Sequence, residues 1–303
     1  MKTLSKITLF APVCLALALV FSSCSAIGGY SEPEDSLVAM AVGFDRDGDM
    51  IRVSLQLSSG GEGYRTAVGE GETIEDALFS ILSSESKSAE FSHVGVIALG
   101  RGLDGNDVDK ILNFLQDHEE ISLSARLVST SDASQLLSAD GFGGYEMVAM
   151  LSNGVGAPLS AESRIYLSYM SAALAIPYFA SNGGGFELYG IRVFRDGEGL
   201  FILGRDEAEI YLMMKNTLVG GRFGDSKTIY TLKKTDGGCV LTVTAHLPLQ
   251  SRSTLTAISE KMRGLYTEIY ERHGDVFGYA ERVRALGGAE SFLVEFECKE
   301  RDK

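Results

Sequence analysis

Histidine and cysteine are scarce in this chain, four of each among 303 residues, and neither is placed for metal or redox chemistry. His93, His118, His246 and His273 are scattered, with no pair one helical turn apart that would seat zinc. No Cys-x-x-Cys pair exists. Long apolar runs are missing after the first two dozen residues, which excludes a second membrane-spanning segment. Positive charge is also in deficit, and a formal net charge of -14 argues against a nucleic-acid partner and against docking on an anionic membrane by charge. Glycine-rich stretches at 141–144 and 183–185 lack the strand-to-helix setting and the lysine of a phosphate cradle. The neighbours Glu119 and Glu120 would face opposite ways on a strand, so they read as acidic surface rather than an acid/base pair. With no nucleophile beside a base and no cofactor motif, the sequence points to no enzyme and no cofactor, and leaves binding or assembly as its work.

What is present is concentrated at the start. Lys2 and Lys6 form a basic leader, residues 7–21 are almost wholly apolar, and Phe21-Ser22-Ser23 lead into Cys24. A run of about 15 residues is short of the ~20 that a spanning helix needs, and Pro12 interrupts it. The pattern predicts a lipoprotein signal peptide over 1–23, cleaved before Cys24. The Cys24 thiol would then carry diacylglyceryl through a thioether, with palmitate-type chains anchoring the protein to the outer face of a membrane. Loss of Lys2 and Lys6 takes the net charge from -14 to -16. Residues 24–36, rich in Gly, Ser and acids, read as a lipidated tether.

Cys14 would leave with the leader, so Cys239 and Cys298 remain. Both fall in strand-like segments of an exported chain, where a disulfide and a pair of buried thiols are equally compatible with the spacing.

Residues 37–44 and 51–57 read as strands around Asp45-Arg46-Asp47-Gly48-Asp49. That segment is a hairpin turn rather than a calcium loop, since the glycine comes two places early and the distal glutamate is absent. Thr73 caps a predicted helix with Ile74, Ala77, Leu78, Ile81 and Leu82 on one face. A strand over 91–99, a helix capped by Asn106, a strand over 121–128 and a short helix from Ser131 follow. The pattern then weakens until an apolar helical stretch at 165–176, and Asn182-Gly183-Gly184-Gly185 reads as a linker. Beyond it come hairpins at 186–203 and 228–247, a helix over 206–215, the longest helix opened by Thr254, and a last strand over 292–298. The expected class is α+β, with a mixed α/β region at 37–185 followed by an α+β domain at 186–303 that holds hairpins and one long helix.

The order of motifs resembles the Ger(x)C family, the lipoprotein C subunits of nutrient germinant receptors in endospore-forming bacteria. The resemblance runs through the lipobox at Cys24, Val42-Gly43-Phe44-Asp45, Gly71-Glu72-Thr73, the histidine-led segment 91–101, Ile111 to Leu115, Tyr189 to Phe194, and Asp275-Val276-Phe277-Gly278. Tryptophan, common in the family directly after the lipid cysteine, is absent, and Ser25 stands there. The resemblance implies a non-enzymatic subunit acting with membrane-embedded A and transporter-like B subunits in the inner spore membrane. The complex as a whole would respond to a small nutrient and trigger germination. A solute-binding lipoprotein of a membrane transporter is the alternative. Such proteins present two similar lobes around a cleft, whereas this sequence has unlike halves.

Overall fold

The computed structural model describes residues 36–58, 63–85, 88–118, 120–122, 124–153, 173–183, 185–218, 221–224, 226–236, 238–248, 250–289 and 291–301. The leader, Cys24 and tether residues 25–35 lie outside the described residues, as does 165–172 of the expected apolar helix, and Ser36, expected in the tether, opens the first strand. Residues 37–303 form one compact unit.

The larger sheet comprises β1 (Ser36–Asp47), β2 (Met50–Ser58), β3 (Arg65–Gly71), β4 (Ser88–Glu90), β5 (Val96–Leu99), β6 (Arg126–Thr130), β7 (Leu174–Ser181), β8 (Phe186–Arg195) and β9 (Glu198–Gly204). Its order is β3-β2-β1-β5-β6-β7-β8-β9, with β4 paired to β1 off this path. The centre, β1-β5-β6-β7, is parallel, and antiparallel strands flank it on both sides. Parallel strands need cover on both faces, and every residue of β5 is accordingly buried. Alternation along the strands sorts the two cores. Ile97 and Leu99 join Ile81, Ile111 and Leu115 of α1 (Ile74–Ser84) and α2 (Gly105–Asp117). Val96 and Ala98 face the other way, onto Leu136, Leu137 and Met147 of α3 (Ala133–Ser138) and α4 (Gly144–Asn153). Gln56, buried on β2, fastens the α3–α4 corner. Its amide donates to the carbonyls of Leu137 and Phe142 and accepts from Gly144 N at 2.9 Å.

Helix starts follow the best acceptor rather than the nearest polar residue. Thr73 caps α1 as expected, its hydroxyl accepting from Asp76 N. The cap of α2 is Asp104, not Asn106, because Asp104 and Asp107 form a reciprocal capping box. Asp132 caps α3 one residue beyond the expected start. The strands expected over 91–99 and 121–128 shorten to β5 and β6. Turns ahead of them consume the backbone groups a strand would offer, with Val94 N bonding Phe91 O and Ala125 N bonding Ser122 O.

The linker expected at 182–185 is instead the turn of the β7–β8 hairpin, closed by Asn182 N to Gly185 O at 3.1 Å. The boundary expected between 185 and 186 therefore falls inside the large sheet, and Ile176 lies on a strand rather than a helix. Antiparallel pairing of the apolar flanks outweighs the flexibility of the glycines between them.

The second sheet holds β10 (Lys227–Thr235), β11 (Gly238–Leu247) and β12 (Phe292–Glu300), with β10–β11 antiparallel and β11–β12 parallel. It packs with α5 (Arg205–Met214), α6 (Arg252–His273) and α7 (Tyr279–Ala285) around Met213, Val243, Met262, Phe277, Tyr279 and Phe296. Ser251, not Thr254, caps α6. Ile191, Val193 and Leu203 of β8 and β9 share this core. The fold is α+β, a mixed sheet with helices on both faces followed by hairpins and one long helix.

The register of β11 and β12 decides the cysteines. Cys239 lies opposite Phe292 and Cys298 opposite Ala245. That is six residues, or about 20 Å, along the ladder, beyond the ~7 Å between Cα atoms that a disulfide tolerates. Both are free thiols. Cys239 accepts from Ala289 N at 3.2 Å, and the Cys298 thiol, 3.4 Å from Met262 Sδ, is raised in pKa by burial. Mass spectrometry of the unreduced protein is expected to find both as thiols, and a 239–298 linked peptide would contradict this register.

Candidate functional site

In sheets of this kind the carboxyl ends of the parallel strands are the usual place for a site. Along Val42-Gly43-Phe44-Asp45 of β1, Val42 and Phe44 enter the α1–α2 core, which turns Gly43 and Asp45 to the α3 face. Gly43 lets α3 approach, since a Cβ there would stand 2.9 Å from that of Ala133. Asp45 ends, wholly buried, beneath the first turn of α3.

The Asp45 carboxylate is fully engaged. Oδ1 accepts from Arg101 N at 2.9 Å and Ala133 N at 3.0 Å, and Oδ2 accepts from Ser134 N at 3.1 Å. Gly100 makes room for it, because a Cβ at that position would lie 1.9 Å from Oδ1. One side chain thus ties the end of β1, the loop after β5 and the start of α3. Outside this knot, Arg46 Nη1 meets the buried Asp107 at 2.6 Å, Arg52 bridges Asp47 and Glu70, and Arg101 lies 3.9 Å from Asp47 and 3.8 Å from Asp132. The protein's own carboxylate occupies the place where an anion could bind, so the cluster acts as a latch. Among the described residues no group of three or more His, Cys, Asp or Glu is placed to hold a metal ion. The β1–β2 hairpin turns at Gly48-Asp49, with Asp47 paired to Met50 and Gly48 at φ of 61°, one residue beyond the expected Asp47-Gly48.

The structure does not bring the histidines together. His93 is exposed beside Ser92 and Glu90. His118 follows α2, packs on Phe114, and bonds Glu120 at 2.8 Å, holding that carboxyl below its usual range. His246 is half-buried on β11, and His273 ends α6 against Phe201. Cys24 lies outside the described residues.

Sequence reasoning passed over Lys215, at the end of α5. Its ammonium donates to Ala173 O at 2.6 Å and Val276 O at 3.3 Å, and sits 5.7 Å from the Tyr211 ring centre. Val276 belongs to the Asp275-Val276-Phe277-Gly278 segment, in which Asp275 accepts from Tyr279 N and Ala280 N to start α7. Burial, reinforced by Arg282, pushes the pKa of Lys215 down to about 8 from 10.5. The unfolded chain then binds more protons than the folded one between those values, so stability rises with pH across that window. Denaturant titrations are expected to show wild type gaining on the order of 2 kcal/mol from pH 8 to 10 relative to Lys215→Met. Parallel pH profiles for the two proteins would contradict the burial of a charged amine.

The carboxyl end of β1 is thus closed by an internal carboxylate. Residues 29–153 match the family model described as the spore germination protein N-terminal domain. Over those residues the chain is similar to the N-terminal domain of spore germination proteins. Among solved structures, the crystal structure of the GerBC protein aligns over 85% of this chain and 96% of its own, at 15% identity and a TM-score of 0.47. A comparison with curated proteins finds none that matches.

Proposed function

We infer that the protein is the lipoprotein C-type subunit of a spore germinant receptor. It is held by acyl chains on Cys24 at the outer face of the cytoplasmic or inner spore membrane, and it works by contact with A- and B-type membrane subunits. The match of residues 29–153 to the spore germination domain carries this reading, and it begins just after Cys24. A signal peptide over 1–23 and a tether over 24–36 connect that domain to the bilayer. No helix among the described residues is long and apolar enough to cross a membrane, so anchoring falls to the lipid in this reading. Two acyl chains at about 0.8 kcal/mol per buried methylene hold stably where one would exchange. The subunit transmits or scaffolds and does no catalysis, and the nutrient is bound by the complex as a whole. The test is complementation of a strain lacking the gene, with wild type against Cys24→Ala.

A further inference from the structure

Where the chain leaves the large sheet limits which end of that sheet can meet a bilayer. β1 starts at Ser36, and its 12 residues span about 36 Å to Asp47 at ~3.3 Å per residue. Residues 25–35 separate Ser36 from Cys24, so an acyl anchor on Cys24 lies no more than ~43 Å of chain contour from the start of the strand. Setting the Asp45 end of the sheet on the bilayer would consume most of that contour, at the entropic cost of fixing every residue in it. Setting the amino ends of the parallel strands there carries no such cost.

That end of the sheet carries two exposed tyrosines side by side. Leu57 pairs with Ala39 on β1 and with Arg65 on β3, which puts Tyr64, the next residue, level with Val38 and two strands across from it. α4 opens at the same end. Gly144 packs on the Met40 carbonyl and Gly143 on the Tyr64 ring, each too close to admit a Cβ. Tyr145, in the first turn of α4, is 64% exposed, and Tyr64 is 40% exposed. Burial, then Glu146 and Tyr145 close by, raise the Tyr64 hydroxyl above its usual pKa and keep it neutral.

A phenol ring with its hydroxyl outermost suits the headgroup layer of a bilayer, where one end is apolar and the other wet. Charge does not draw this corner to an anionic surface, since Glu146 lies beside the pair and Arg65 is held by Glu85. The layer it fits is therefore a zwitterionic one. An anchor on the same chain makes the contact intramolecular, at an effective concentration of about millimolar, so two rings of little affinity on their own suffice.

We propose that Tyr64 and Tyr145 rest in the headgroup layer of the membrane that holds the lipid, so that the amino ends of β1 and β5 face the bilayer and the Asp45 end faces away. The proposal deepens the lipoprotein reading and rests on the anchor at Cys24.

The chain has no tryptophan, so a single introduced indole reports its own surroundings. The full chain, processed in cells and purified in detergent, is reconstituted into phosphatidylcholine vesicles with or without brominated acyl chains, as Tyr64→Trp, Tyr145→Trp and Tyr189→Trp. Tyr189 is the control, 46% exposed and next to Leu188, which is level with Phe179 and Thr130 at the carboxyl ends of β7 and β6. Brominated lipid is expected to quench the indole at 64 and at 145 roughly twofold or more, to accompany a blue-shifted emission, and to leave the indole at 189 unchanged. Unquenched emission at 64 or 145, or equal quenching at 189, from folded chains that float with the vesicles would overturn the orientation and leave the anchor standing. Wild type that fails to float with the vesicles would remove the anchor and the proposal with it.

Discussion

Asp45→Ala is expected to lower the unfolding free energy by about 3–5 kcal/mol, a large share of the 5–15 kcal/mol that keeps a domain folded. The substitution strips the acceptor from three backbone N–H groups, those of Arg101, Ala133 and Ser134, in a site with no solvent exposure. Each unsatisfied donor costs about 1–3 kcal/mol, and the total falls short of the sum because a water can enter the vacated space. Asp45→Asn should lie between the two. Its remaining oxygen can still accept from Arg101 and Ala133, while its amide nitrogen meets Ser134 N, donor against donor. Gly100→Ala should match Asp45→Ala by a different route, since the new Cβ would stand 1.9 Å from the carboxylate oxygen and displace it. Denaturant unfolding of the three variants checks the latch, and a loss under about 1 kcal/mol for Asp45→Ala would show that β1, the β5 loop and α3 hold together without it.

Cys24→Ala is expected to move the protein from the membrane fraction to the soluble fraction or to leave it as uncleaved precursor, and to abolish labelling by a fatty-acid analogue. In the complemented strain the variant should fail to restore nutrient-triggered germination even when the folded domain accumulates to wild-type level. Binding by one acyl chain is marginal and by two is stable, so loss of the thiol removes the whole anchor rather than weakening it. Charge offers no substitute, because a chain at -14 is repelled by an anionic leaflet. Retained labelling would refute lipidation at Cys24. Release from the membrane with normal germination would instead keep the lipid and remove its proposed purpose.

Much of the fold is legible in the order of residues. Apolar runs flanking turn signals placed β1, β2, β8, β10 and β11, and the helical spacing of Ile74, Ala77 and Ile81 placed α1, because that spacing reports which side of the helix is buried. The misplaced caps of α2 and α6 were near misses among competing acceptors, settled by whichever side chain reaches the third amide. The linker at 182–185 was misjudged for a different reason. Glycines permit a tight turn and a flexible joint equally, and only the pairing of β7 with β8 chooses between them. The disulfide left open at Cys239 and Cys298 is closed by strand register, which no spacing between cysteines discloses.

The sequence by itself gave the mixed class and the ordered motifs that resemble the Ger(x)C family, and it carries the expectation of a lipobox at Cys24, since each depends on residue types at short separation. The tertiary structure alone decided what those motifs do. It made Asp45 a buried tie among three segments, Lys215 a buried amine held by two distant carbonyls, and Tyr64 and Tyr145 neighbours at the amino end of β1. Each of these joins residues tens of positions apart, and such contacts are set by how the sheet orders its strands, which local sequence does not encode.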